Sequence, residues 1–163
     1  MAEQTRTSAS GGSGRKDEAT LQSGETGPDA PPGSRGKTTL SDSVVAKIVG
    51  TAAREVPGIH TLGGGLARTM GAVRDRVPGG RGQVTRGVNV EVGERQTAVD
   101  LDIVVEYGPP ITEIAADTRE NVIAAVERMT GLEVVEVNIA VDDIHLPDEE
   151  DEEEEGQARG RVR

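Results

Sequence analysis

The chain reads as an α+β domain: two layers, with two helices packed on one face of a small, mainly antiparallel sheet, in the order α-β-β-α-β between disordered tails. Three observations predict it. Apolar residues recur at helical spacing in two segments, 41–56 and 111–129, and alternate with polar ones in segments between and after them. The alternating segments carry acids on their polar side, as expected of a sheet with one buried and one wet face. With no Phe, no Trp and one Tyr in 163 residues, the core is built from Val, Ile, Leu, Ala and Met.

Residues 1–39 are mostly Gly, Ser, Thr and Pro with single apolar residues between them. Such a segment buries too little apolar surface to offset its ordering entropy, so it is expected to be disordered. Ser41 is then a plausible N-cap for a helix that ends before Pro57-Gly58, with Val45, Ile48, Val49, Ala52 and Val56 on one side. Ile59-His60-Thr61-Leu62 reads as a short strand. Residues 63–87 are glycine-rich, with a weak amphipathic stretch at 66–77. Val88, Val90 and Val92 alternate with Asn89 and Glu91. After Gly93-Glu94-Arg95-Gln96, Val99, Leu101, Ile103 and Val105 alternate with Asp100, Asp102 and Glu106, which makes a β-hairpin.

Gly108-Pro109-Pro110 ends the hairpin, and a second helix follows. Its core stripe is Ile111, Ile114, Ala115, Thr118, Val122, Ala125, Val126 and Met129, and Gly131 is its stop. In the last strand Val135, Val137, Ile139 and Val141 are expected to face in, with Glu136, Asn138 and Asp142 facing out. Periodicity leaves open which hairpin strand this one joins. The acid run from Pro147 to Glu155 repels itself and forms an extended tail. The divisions are therefore a tail at 1–39, a folded unit at 40–146 and an acidic tail at 147–163.

The formal net charge is −11 and cysteine is absent, which excludes disulfides, thiolate metal sites and cysteine nucleophiles. The sequence contains no apolar run of membrane-spanning length and no signal-peptide pattern at its start, so a cytoplasmic location is expected. Catalytic chemistry is not evident. No Gly-x-Ser-x-Gly elbow is present, and His60 reads as an ordinary, partly exposed histidine. His145 stands near Asp142, Asp143 and Asp148, but no second histidine lies at ligand spacing and a strand end is a poor cage. Asp100 and Asp102 share an exposed face that would not desolvate either carboxyl. No cofactor, metal or small-molecule substrate is expected.

The glycine loop holds Arg68, Arg74, Arg76, Arg81 and Arg86 against Asp75, and Gly79-Gly80-Arg81-Gly82 matches the four-residue loop with which KH domains clamp nucleic-acid backbone. The lack of stacking aromatics and the strongly acidic segment 87–147 weigh against nucleic acid as a partner. The stretch 66–77 offers too small an apolar face to hold a membrane by itself. Two complementary charged surfaces are expected instead. Glu91, Asp100, Asp102, Glu106, Glu136 and Asp142 lie on the open sheet face, and the five arginines lie elsewhere on the chain.

The run Gly87-Val88-Asn89-Val90-Glu91-Val92-Gly93-Glu94, followed by Ala98-Val99-Asp100-Leu101-Asp102-Ile103-Val104-Val105-Glu106-Tyr107-Gly108, resembles the central hairpin of the alkaline-shock family of bacterial envelope stress response proteins. Glu120-Asn121-Val122, Met129-Thr130-Gly131-Leu132 and the ending Glu133-Val134-Val135-Glu136-Val137-Asn138-Ile139 are similar too, as are the first helix and Val56-Pro57-Gly58-Ile59. The resemblance covers about 41–146. It implies a non-enzymatic cytoplasmic protein tied to envelope homeostasis, one that self-associates and is held at the inner membrane surface by a related membrane-anchored partner. A nucleic-acid-binding module using residues 68–86 and a regulatory subunit of an enzyme are the alternative functions.

Overall fold

The computed structural model describes residues 18–63 and 84–148. Its elements are β1 (Glu18–Ser23), β2 (Lys37–Ser41), α1 (Asp42–Arg54), β3 (Ile59–Leu62), β4 (Val88–Val92), β5 (Gln96–Glu106), α2 (Ile111–Thr130) and β6 (Glu133–His145), with a 3-10 turn at Pro32–Ser34.

Strand β5 organises the sheet. Its inward residues Val99, Leu101, Ile103 and Val105 are all buried, and Asp100 and Asp102 between them are exposed. One edge of β5 carries two antiparallel strands end to end: β4 pairs with residues 97–101 and β3 with 103–105. They change over at Asp102, whose carbonyl accepts from Gly63 N–H at 2.7 Å while its own N–H donates to the Gly87 carbonyl at 2.9 Å. Gly63 and Gly87 both have positive φ, +76° and +71°. A Cβ on Gly87 would sit 2.3 Å from Gly63 N, so only glycine permits the approach. The other edge of β5 pairs with β6 in parallel, the connection being α2. This settles the strand order that periodicity left open.

Both helices pack on one face of this sheet, as the fold class requires. Val45, Val49, Ala52 and Ala53 of α1 and Ile114, Val122 and Val126 of α2 meet the inward β5 residues, Leu62, Leu132 and Val137. Each valine, leucine or isoleucine among them contributes about 1.5–3 kcal/mol by its burial, each alanine about 0.8 kcal/mol. α1 starts with Ser41 at the N-cap position, but the hydroxyl pairs with the Ser43 hydroxyl at 2.9 Å and makes no cap bond. α2 stops where expected: Gly131 is left-handed, φ +73°, and its N–H reaches the Glu127 carbonyl at 2.9 Å. The helices are also tied by Asn121, whose Nδ2 donates to the Ala52 carbonyl at 2.6 Å.

Three expectations are corrected. Residues 18–39, read as disordered from their composition, contain an antiparallel ribbon of β1 and β2. Ala19 is fully buried, and Leu21 and Leu40 pack against the main core. A segment poor in apolar residues has docked the few it has on a core built elsewhere. In α2, Ile111 and Met129 lie outside the buried stripe, 40% and 63% exposed; Thr118 is buried as expected, and Thr130 is buried in addition. Their hydroxyls donate to the carbonyls of Ile114 and Val126, both at 2.6 Å, which satisfies the polar group inside the core.

In β6 the alternation slips twice. The register with β5 shifts between Thr97 and Ala98 and again between Ile103 and Val104, so Val135 and Asp142 have no partner opposite. A bulge residue flips the parity of the residues after it. Val134 is buried in place of Val135, which is 54% exposed; Val141 stands opposite inward Ile103, as expected, but keeps 36% of its surface exposed at the sheet edge. The weak amphipathic stretch at 66–77 lies outside the described residues.

Candidate functional site: the open sheet face

The face of β5 opposite the helices gathers most of the acids expected there. Glu91 of β4 stands opposite Ala98, Asp100 pairs with Asn89 on one side and Asn138 on the other, and Asp102 pairs with Ala140. Asn138 acts as a neutral spacer: its Nδ2 donates to Asp100 Oδ1 at 3.0 Å and to Glu136 Oε1 at 3.2 Å. Two carboxylates that would otherwise repel across the strand pair share that one donor group.

Asp102 has no such relief. Partial burial pushes its carboxyl up from the usual range, and the charges of Asp142 and Asp100 push it further. Asp142 stands close because it is the second bulge of β6. The bulge that spoils the periodicity thus concentrates charge on the face. A positive charge placed beside this face would offset that rise.

Of the five arginines, Arg86 alone is described; Arg68, Arg74, Arg76 and Arg81 lie outside the described residues. Arg86 stands at the β3–β4 junction, its side chain against Gly63. Arg54 of α1 lies nearby, its Nη1 donating to the Val84 carbonyl at 3.0 Å. Burial, and then the charge of Arg86, lowers the Arg54 pKa, so two like charges approach each other here.

Glu106 departs from the expected role of one more solvated acid. It lies between two histidines, with His60 Nδ1 2.8 Å from one carboxylate oxygen and His145 Nδ1 3.0 Å from the other. These hydrogen bonds, His145's first, hold its carboxyl below the usual range. The two imidazoles stack with centroids 3.8 Å apart and planes 2° from parallel. Read separately in the sequence, His60 is ordinary and His145 lacks a second histidine at ligand spacing. The missing signal was the parallel register of β6 with β5, which sets His145 beside Glu106. β3 brings His60 to the same place from the other edge.

Among the described residues no helix is long and apolar enough to cross a membrane. Residues 31–146 match a family model of the alkaline shock/Gls24 type, described by the words "cell envelope-related function". A protein of Streptococcus pyogenes serotype M3 called "Stress response regulator gls24 homolog" is 43% identical over 110 residues, 68% of this chain and 59% of that protein. The chain thus spans about three fifths of the length of that relative. Two Bacillus subtilis proteins are more distant. YqhY, called uncharacterized, is 30% identical over 65% of this chain and 75% of its own length. YloU, also called uncharacterized, is 28% identical over 68% of this chain and 90% of its own. No solved structure matches the chain. None of these descriptions names an enzyme. The resemblance first carried by the hairpin strings extends through both helices and the last strand, and the chain belongs to the alkaline-shock family.

Proposed function

We propose that the protein serves the envelope stress response without catalysing a reaction, by self-association and by docking to a related membrane-anchored protein at the cytoplasmic face. The observation that supports this reading is the sheet face left uncovered by the helices, where partial burial, and then the charges of Asp142 and Asp100, raise the Asp102 pKa. A basic partner segment relieves that repulsion, and the sequence itself holds five arginines within 68–86: Arg68, Arg74, Arg76, Arg81 and Arg86. Complementary patches at different places on one chain give a heterologous contact, which repeats into rings or filaments. Single exposed ion pairs contribute about 0–1 kcal/mol, so several act together and salt dissolves the assembly. The acidic tail at 148–155 competes with the sheet face for the arginines.

Sedimentation velocity across a salt series tests the assembly, comparing the wild type with Arg74→Glu/Arg76→Glu, Asp100→Asn/Asp102→Asn and a chain lacking 148–155. Both charge variants are expected to weaken association, and loss of the tail to strengthen it. Association indifferent to salt and to both variants refutes the charge mechanism. Fractionation of cells with and without neighbouring membrane proteins tests the docking: the protein should leave the membrane fraction when its anchor is deleted.

A further inference from the structure

At the end of the sheet, two histidines from opposite edges of β5 converge on one carboxylate. Each offers Nδ1 to a different oxygen of Glu106, and one donor atom from each of His60, Glu106 and His145 lies within 4.8 Å of the other two. The backbone beneath is tied on both sides. Glu106 N–H donates to the Gly58 carbonyl at 2.8 Å, and Tyr107 N–H to the His145 carbonyl at 3.1 Å. The side chains are 27%, 42% and 11% exposed for His60, Glu106 and His145, so the group is sheltered yet open to solvent at the carboxylate.

We propose that His60, Glu106 and His145 form a binding site for a borderline divalent metal ion, Zn²⁺, through two imidazole nitrogens and one carboxylate oxygen, with water completing the shell. The donor set decides the class of ion. Imidazole suits zinc and its transition-metal neighbours, whereas Mg²⁺ and Ca²⁺ take oxygen ligands almost throughout. Around tetrahedral zinc, ligand atoms about 2.0–2.1 Å from the metal lie about 3.3 Å from one another. Three atoms already within 4.8 Å reach that spacing by side-chain rotation alone. The parallel rings must turn, because the in-plane lone pairs of stacked rings do not meet at a point. Imidazole χ2 is soft enough to allow it.

The protons balance. Where Nδ1 donates to Glu106, the ion displaces that proton and Nε2 takes one from solvent, so neutral histidines bind without net proton release. The carboxylates of Asp100, Asp102 and Asp142 on the same face add a field that attracts the cation. With ligands on β3, β5 and β6, the ion clips the two edges of the sheet to its central strand. The site is independent of the charge-driven assembly proposed above.

The test is a Zn²⁺ titration of the full chain in excess Mg²⁺, which occupies the acidic tail, read by calorimetry and thermal unfolding. One equivalent of Zn²⁺ is expected to bind and to raise the unfolding midpoint, which Mg²⁺ alone does not do. His60→Gln and His145→Gln should each weaken binding at least tenfold, and the double variant should abolish the one-equivalent step. The chain has two histidines, so NMR of their ring protons in the wild type gives a readout free of substitution. Both should shift on adding one equivalent. Zn²⁺ uptake unchanged in the double variant, or ring signals that do not move, overturns the proposal.

Discussion

Replacing Gly87 by Ala tests the junction at which β3 hands over to β4, and Gly131→Ala supplies its control. The two glycines have nearly the same backbone, φ +71° and +73°, so placing an L-residue at either costs about 1 kcal/mol of left-handed strain. They differ in what a Cβ would meet. At Gly131 nothing lies within 4 Å; at Gly87 the atom would sit 2.3 Å from Gly63 N and 2.7 Å from the Asp102 carbonyl oxygen. Both are backbone atoms and cannot rotate aside. The strand ends must part, which strains or breaks the two hydrogen bonds centred on Asp102, each contributing roughly 0.5–1.5 kcal/mol. Gly87→Ala is therefore expected to cost about 2–4 kcal/mol, against about 1 kcal/mol for Gly131→Ala. With about 110 described residues and about 2.1 cal/mol/K of unfolding entropy per residue, 1 kcal/mol lowers the midpoint by about 4 °C. The expected drops are thus about 9–17 °C and about 4 °C. Thermal unfolding followed by far-UV circular dichroism measures both. Equal drops would show that the close approach at Asp102 is not what demands glycine.

Asp102→Asn should stabilise the fold at pH 7 and low salt by roughly 0.2–1 kcal/mol, since it removes a charge crowded by Asp142 and Asp100. The sign comes from a carboxyl raised on folding: its ionised form costs stability above the raised value, and the cost is absent below the unfolded value of about 3.9. The gain should accordingly vanish near pH 3 and shrink in high salt; a pH series of urea titrations checks it. Asn121→Ala removes the link from α2 to the Ala52 carbonyl and should cost about 1 kcal/mol in urea unfolding, with unchanged denaturant slope. Deleting residues 1–40 removes buried Ala19 and the packing of Leu21 and Leu40, and is expected to cost about 2–3 kcal/mol. A midpoint unaffected by that deletion would show that the ribbon adds nothing to the domain.

The elements with unbroken alternation were legible in the sequence. β5 shows its inward valine, leucine and isoleucine at every second position, and the register of β4 is set by the short turn between them. α2 was legible through Ile114, Val122, Val126 and the Gly131 stop. β6 was legible from Val137 to Val141, which keep step with Val99 to Ile103, but period-2 reasoning has no means of seeing a bulge, and the bulges at Val135 and Asp142 interrupt the alternation on either side. The ribbon at 18–41 was missed for a different reason: a composition measured over a segment counts the apolar residues it holds, not the core on which they dock. The site divided along the same line. Asp100 and Asp102 were placed correctly by alternation within one strand. The meeting of His60 and His145 at Glu106 needed three strands and their pairing, which no local pattern carries.

The paired contacts of Gly63 and Gly87 with one peptide have a consequence for how this domain accommodates change. The chain leaves the sheet and rejoins it at adjacent points, both held by the Asp102 backbone. Whatever lies between them is closed at its base by the fold itself, in the way a handle is riveted to a lid at both ends. The closure entropy of such an excursion grows only logarithmically, about 0.6 kcal/mol for each doubling of its length. Extra residues there lengthen the handle without disturbing either rivet. Insertions between the two anchor points are compatible with both contacts of the Asp102 peptide, which makes this a point at which a tag or a binding peptide can be spliced in while the sheet keeps its register.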